Sequence, residues 1–149
     1  MSADEQAVLA VHLGWLRANE TGDVAWLREH LDPGYTMMNT NGSVYRGPEH
    51  LVALWEYYRG MYPGWRGAGA PLVVESVDPE VRVVGDAAWV AYRLIFAGES
   101  TGGEGQGDIA GTFRFETRGT DVLVRRDGRW RIAHGHYSFG SPGGPAGGE

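Results

Sequence analysis

Cysteine is absent from this chain of 149 residues, which excludes disulfides and thiolate metal sites. Lysine is absent too, and all thirteen basic residues are arginine. That is a mark of GC-rich codon usage and carries no mechanism. Positive charge is in deficit, with a formal net charge of −6 and no basic stripe. Nucleic acid and anionic membrane are thereby excluded as expected partners. No apolar run approaches the ~20 residues of a membrane helix, and the opening MSADEQ has no basic segment followed by an apolar core. The expectation is a soluble, cytoplasmic protein.

What is present is aromatic. Six Trp, seven Tyr and four Phe stand in a chain that is 42% hydrophobic, enough for a packed core and an aromatic pocket besides. The length suits one domain over residues 1–140, burying roughly 70% of the unfolded surface. The Pro/Gly-rich segment 141–149 is expected to be a disordered tail. The insert Gly98–Gly107 is too polar and Gly-rich to pack, and is expected to be a mobile hairpin tip and a candidate lid.

Helix periodicity marks residues 2–20, with Ser2 as cap and Val8, Val11, Trp15 and Leu9, Leu13, Leu16 recurring at three-to-four spacing. A short helix, Val24–Leu31, is closed by Pro33-Gly34. A third opens at Gly47-Pro48 and runs through Leu51, Leu54, Trp55 and Tyr58. Tyr35–Asn39 and Val44–Arg46 flank an Asn41-Gly42 turn as a hairpin. Strands follow over Pro71–Val84 (interrupted at Asp78-Pro79), Ala87–Ala97 and Gly111–Arg126. Asp127-Gly128 then turns the chain into a return strand, Trp130–Tyr137.

Period-two alternation puts Asp121, Leu123 and Arg125 on one side of the first hairpin strand. On the return strand it puts Trp130, Ile132, His134 and His136 on one side and Ala133, Gly135 and Tyr137 on the other. Apolar residues on both faces predict a sheet covered on both sides, by the chain's own helices and by a second copy. Trp130 and Ile132 are the expected interface residues of that homodimer. Helices first and long antiparallel strands afterwards is an α+β order. The predicted architecture is a strongly bent, mixed or antiparallel sheet wrapped as a cone around three N-terminal helices, with a central pocket.

Leu31-Asp32-Pro33-Gly34, Gly47-Pro48-Glu49-His50, Val83–Ala88 and above all RRDGRWRIAHGHYS (Arg125–Ser138) resemble the nuclear transport factor two-like superfamily. Within it they are most similar to SnoaL-like domains and to the association domain of calcium/calmodulin-dependent protein kinase type two. The resemblance covers residues 4–140. It implies a fold shared by isomerases, polyketide cyclases, dehydratases, hydrolases and assembly modules, so activity has to come from the site. Carried over by position, the oxyanion-binding tyrosine of the ketosteroid isomerase branch falls on Trp15 and its aspartate base on Asn39. Asn takes no proton at neutral pH and indole is only a weak donor, which argues against the steroid-type isomerisation. Of the pocket arginines of the kinase association domain, one falls on Arg93 and the others on Asp121 and Tyr137. The late-strand acid/base aspartate of SnoaL-like cyclases has Asp121 as its nearest counterpart.

Asp121 is the leading candidate on its own terms. A carboxylate amid Val122, Leu123 and Val124 needs a partner if buried, and an apolar hollow raises its pKa toward neutrality, as a general acid/base requires. Tyr137 on the same face is a donor to a substrate oxygen, and Arg93 steadies a developing oxyanion. The bland alternative makes Asp121 and Arg93 a cross-strand ion pair that holds register. Trp15, Tyr35, Asn39, Trp55 and Tyr58 are candidate substrate-binding residues, against a reading in which most are core. His134 and His136 share a face but lack a third ligand, so no metal and no cofactor is expected. Two functions remain open. One is a cofactor-free enzyme performing cyclisation, isomerisation or dehydration on a hydrophobic oxygenated molecule in polyketide-type metabolism. The other is a non-catalytic ligand-binding or oligomerisation module.

Overall fold

A computed structural model describes residues 1–105 and 108–140. Its helices are α1 (Ala3–Thr21), α2 (Val24–His30) and α3 (Pro48–Arg59), followed by a 3-10 turn at Pro63–Arg66. Its strands are β1 (Leu31–Met38), β2 (Val44–Arg46), β3 (Val73–Val84), β4 (Ala87–Ser100), β5 (Gly111–Arg126) and β6 (Arg129–Phe139). The strands form one sheet in the order β2-β1-β6-β5-β4-β3. Among the described strands only the β1–β6 pair is parallel, so the sheet is mixed, as an α+β cone allows. The expected tail, 141–149, lies outside the described residues, as do two positions of the expected insert.

Local chemistry sets these elements. Ser2 Oγ accepts from the Glu5 amide while Glu5 accepts from the Ser2 amide, a reciprocal cap on α1. Gly22 closes α1 in the left-handed region at φ 71°, and a Cβ there would sit 2.5 Å from Trp65. Asp127 and Gly128 both have positive φ, as the tight β5–β6 turn requires. Inward residues of α1 are Val8, His12, Trp15 and Leu16, whereas Leu13 faces solvent. Of the expected stripe, Val8, Trp15 and Leu16 are buried and Leu9 and Val11 half-buried against the core, so only Leu13 departs from it, and His12 takes a core place beside them. α2 ends at His30 with Leu31 as its cap, and Pro33-Gly34 follows two residues later. It lies within β1, where the register slips between Leu31 and Thr36. Gly98–Ser100 belongs to β4, so the insert begins later than the composition suggests.

Two irregularities decide which side chains face inward. In β3 the register shifts between Val77 and Glu80, at the predicted Asp78-Pro79 interruption. In β6, Val122 pairs with His134 but Leu123 pairs with Ile132, leaving Ala133 as an extra residue. This bulge corrects the simple alternation. Trp130 and Ile132 share the inward side with Gly135 and Tyr137, and are buried in the chain's own core at 7% and 1% exposure. They are not available to a second copy. His134 and His136 alone keep the outward side.

Candidate active site

The inner face of β4, β5 and β6 carries the chemistry. Tyr92 stands opposite Gly119, Gly119 opposite Tyr137, and Asp121 opposite Gly135. The glycines make the room. A Cβ at Gly119 would lie 2.7 Å from the Tyr137 ring and 3.2 Å from Tyr92, and one at Gly135 would lie 3.1 Å from Asp121. In that space Tyr137 donates to Asp121 Oδ1 at 2.5 Å and Tyr92 donates to Oδ2 at 2.7 Å. The two phenol oxygens are 3.1 Å apart.

Asp121 is 2% exposed. Burial raises its pKa to about 6, and the hydrogen bonds from Tyr137 and Tyr92 oppose that rise. Burial pushes the Tyr92, Tyr137 and Tyr35 phenols well above their ordinary range, so they stay protonated donors. His12 lies against the same carboxylate, its Nδ1 4.0 Å from Asp121 Oδ2 and its Nε2 2.9 Å from Ser76 Oγ. Its ring meets Tyr92 edge-on at 4.4 Å. Burial lowers its pKa to about 4. By the pH at which His12 would take a proton the carboxyl is already neutral, so this close approach is not an ion pair.

In front of this cluster lies a cavity of about 530 Å³. The helical wall supplies Trp15, Trp55, Tyr58 and Trp65, and the sheet supplies Phe96, Phe113, Phe115 and Tyr137. Trp15 stacks on Tyr137 at 6.5 Å and 14°. Two buried polar atoms of lining residues, Trp15 Nε1 and Thr117 Oγ1, have no hydrogen-bond partner among the described residues. At the mouth, Tyr57 donates to Asp108 and accepts from the Glu104 and Gly105 amides, which ties the segment after β4 to α3.

The residues expected at the site separate into three groups. Asp121 and Tyr137 are in direct contact. Trp15, Asn39, Trp55 and Tyr58 line the cavity. Tyr35 does not line it; its ring is fully buried behind the wall and its hydroxyl has no partner among the described residues. Arg93 is the correction. It pairs in register with Arg118 on the outer face, is about half exposed, and binds Glu116 at 3.1 Å and Asp78 at 3.6 Å. Its parity is that of Ala91, one step from Tyr92, so neither the oxyanion role nor the pairing with Asp121 is possible. Tyr92, which occupies the place expected of Arg93, was legible only as a tyrosine of the right parity opposite a glycine. His12 and Gly119 gave no motif signal. His134 faces outward, its Nδ1 2.8 Å from Thr36 Oγ1, and among the described residues no three His, Cys, Asp or Glu side chains form a metal cluster.

Residues 8–142 match the model of the SnoaL-like domain, and the chain belongs to that family. Nothing among curated proteins matches it. Solved structures share the fold. A nuclear transport factor 2-like superfamily protein from Salmonella enterica serovar Typhimurium is 17% identical over 97% of this chain and 96% of its own, with a TM-score of 0.76. The CaMKII hub of S. rosetta is 20% identical over 93% and 98%, with a TM-score of 0.71. Aln2 from a Streptomyces species is 18% identical over 93% and 92%, with a TM-score of 0.69. Among the described residues no helix is long and apolar enough to cross a membrane.

Proposed function

We propose that this chain is an enzyme that converts a hydrophobic, oxygenated small molecule by cofactor-free acid/base chemistry: cyclisation, isomerisation or dehydration, of the kind used in polyketide-type metabolism. The observation that carries the reading is the Asp121–Tyr137 contact. A buried carboxyl with a pKa of about 6 is bonded to a phenol whose ring forms the wall of an aromatic cavity. Tyr137 is the group that meets the substrate, and Asp121 acts from behind it. As the phenol oxygen takes a proton from the substrate, its own proton passes to the Asp121 carboxylate, and the reverse transfer returns a proton to the substrate, so the phenol is protonated before and after. Trp15 Nε1 and Thr117 Oγ1 would receive a substrate oxygen, since both are buried next to the cavity without a partner.

The test is solvent-deuterium exchange. A panel of neutral aromatic ketones is incubated with the protein in D₂O, and label at the carbon next to the carbonyl is read by mass spectrometry. Exchange should fall on the order of 10²–10⁴-fold in both Asp121→Asn and Tyr137→Phe. Ketones that quench tryptophan fluorescence by binding, yet gain no label, would instead establish the non-catalytic binding module.

The homodimer of this reading uses the outer sheet face. Trp89 is 40% exposed there, in register with Val122 and, across β5, His134. Light scattering should give a dimer at micromolar concentration and a monomer for Trp89→Glu; a monomeric wild type rejects the assignment.

A further inference from the structure

Asp121 is sealed from solvent on the cavity side by Tyr137 and the stacked Trp15, and a bound apolar ligand would seal it further. A carboxyl that exchanges protons with a substrate then needs another way to re-equilibrate with water. His12 offers one. It is a core histidine, 2% exposed, and its Nδ1 has no hydrogen-bond partner among the described residues. An unpartnered buried nitrogen is costly, and this one faces the carboxylate at 4.0 Å. Its other nitrogen is already engaged with Ser76 Oγ at 2.9 Å. Ser76 is on β3, the edge strand of the sheet, and is partly exposed. Neither residue lines the cavity.

We propose that His12 and Ser76 are positioning residues of a proton relay that connects the Asp121 carboxyl to solvent at the sheet edge. It deepens the acid/base reading of the same site and rests on that reading for its use. The step balances without an imidazolium. With the carboxyl protonated, Asp121 O–H gives its proton to the Nδ1 lone pair, Nε2–H gives its own to Ser76 Oγ, and the serine hydroxyl proton passes to water. Asp121 is left ionised and facing an Nδ1–H donor, Nε2 accepts from the re-formed serine hydroxyl, and the imidazole is neutral throughout. The reverse sequence reloads the carboxyl. The titratable groups packed around the pair are Tyr92 on β4, Tyr137 on β6 and Tyr35 on β1, all held protonated by burial. The imidazole tautomer therefore follows the charge on Asp121 alone. The 4.0 Å gap closes with a small swing of carboxylate or ring, as unliganded catalytic contacts commonly do.

The experiment is ¹⁵N–¹H correlation of the His12 ring in the intact, ligand-free protein from about pH 4.5 to about pH 8. The expected result is a neutral ring whose two nitrogens exchange protonated-type and lone-pair-type shifts, Nδ1–H above the Asp121 titration near 6 and Nε2–H below it. Asp121→Asn should abolish the exchange of shifts, and Ser76→Ala, a change at a partly exposed site, should slow the replacement of the ring proton by solvent deuterium. A single tautomer across the range, or an exchange of shifts that survives in Asp121→Asn, overturns the relay. Ketone labelling is read separately. A tautomer change in a protein that labels no ketone keeps the relay and removes the enzyme, whereas labelling by a protein with a fixed tautomer does the opposite.

Discussion

The two faces of β4 and β5 handle charge in opposite ways within a few residues of each other. On the outer face Arg93 meets Glu116 and Asp78, with all three partners at least a third exposed, so water and salt carry most of the compensation. On the inner face Asp121 has no cationic partner among the described residues. Three neutral groups, Tyr92, Tyr137 and His12, surround a carboxylate that water does not reach. The outer cluster can lose a member at small cost, while the inner one transmits every change of charge into pKa and stability. Strand parity alone separates the two, because Arg93 follows Tyr92 directly in sequence.

The sharpest way to test that contrast is the pH dependence of stability. Asp121 has a folded pKa of about 6 against an ordinary 3.8. The native state therefore binds its proton first as pH falls, and this group makes the fold more stable as pH drops from 6 to 4. His12 has a folded pKa of about 4 against 6.5. The unfolded state binds that proton first, so the fold becomes less stable over the same window. In the wild type the two slopes largely cancel. Asp121→Asn removes one and exposes the other, so the unfolding free energy of the variant in urea should fall about 2 kcal/mol further than that of the wild type between pH 6.5 and pH 4. Parallel curves for the two proteins would mean that Asp121 is solvated, and the contrast between faces would collapse.

Gly119→Ala probes the same cluster through space instead of charge. The glycine is not in the left-handed region; what it provides is room for Tyr137 and Tyr92, and the added methyl would sit 2.7 Å from a ring that is already stacked on Trp15 and bonded to Asp121. Overpacking of this kind costs about 1–3 kcal/mol. Since Tyr137 would be pushed off the carboxylate, the Asp121 titration should also move upward, measurable by carboxyl ¹³C shifts. A stable variant with an unmoved titration would show that the tyrosine has slack.

How much of this was legible in the sequence follows from what each feature depends on. The Asp127-Gly128 turn and the three helices are local, encoded by φ preferences, caps and periodicity, and residues 8–142 carry enough of the family pattern to name the fold. Asp121 stood out because a carboxylate in a valine-rich strand has few structural excuses. Arg93 was misplaced because a resemblance transfers a strand position more reliably than a side-chain parity. Trp130 and Ile132 were misplaced because one extra residue at Ala133 inverts the alternation, and nothing in the composition of Arg131–His134 announces a bulge. His12 was hidden by its own helix: the reading followed the leucines and valines, and a buried histidine has no signal until Ser76, 64 residues away, is brought to it.

The smallest expected effect belongs to the outer face, and it is the control that gives the comparison its meaning. Arg93→Gln removes a guanidinium that is about half exposed and shared between two solvated carboxylates. Exposed pairs of this sort are worth about 0–1 kcal/mol, so the urea midpoint should shift by no more than that and the shift should vanish in high salt. Ketone labelling should be unchanged, since the side chain does not reach the cavity. A loss of labelling comparable to that of Tyr137→Phe would return Arg93 to the catalytic group and would require the β4 register to be shifted by one residue, which would in turn expel Tyr92 from its bond to Asp121. The inner cluster and a catalytic Arg93 are therefore mutually exclusive on this strand.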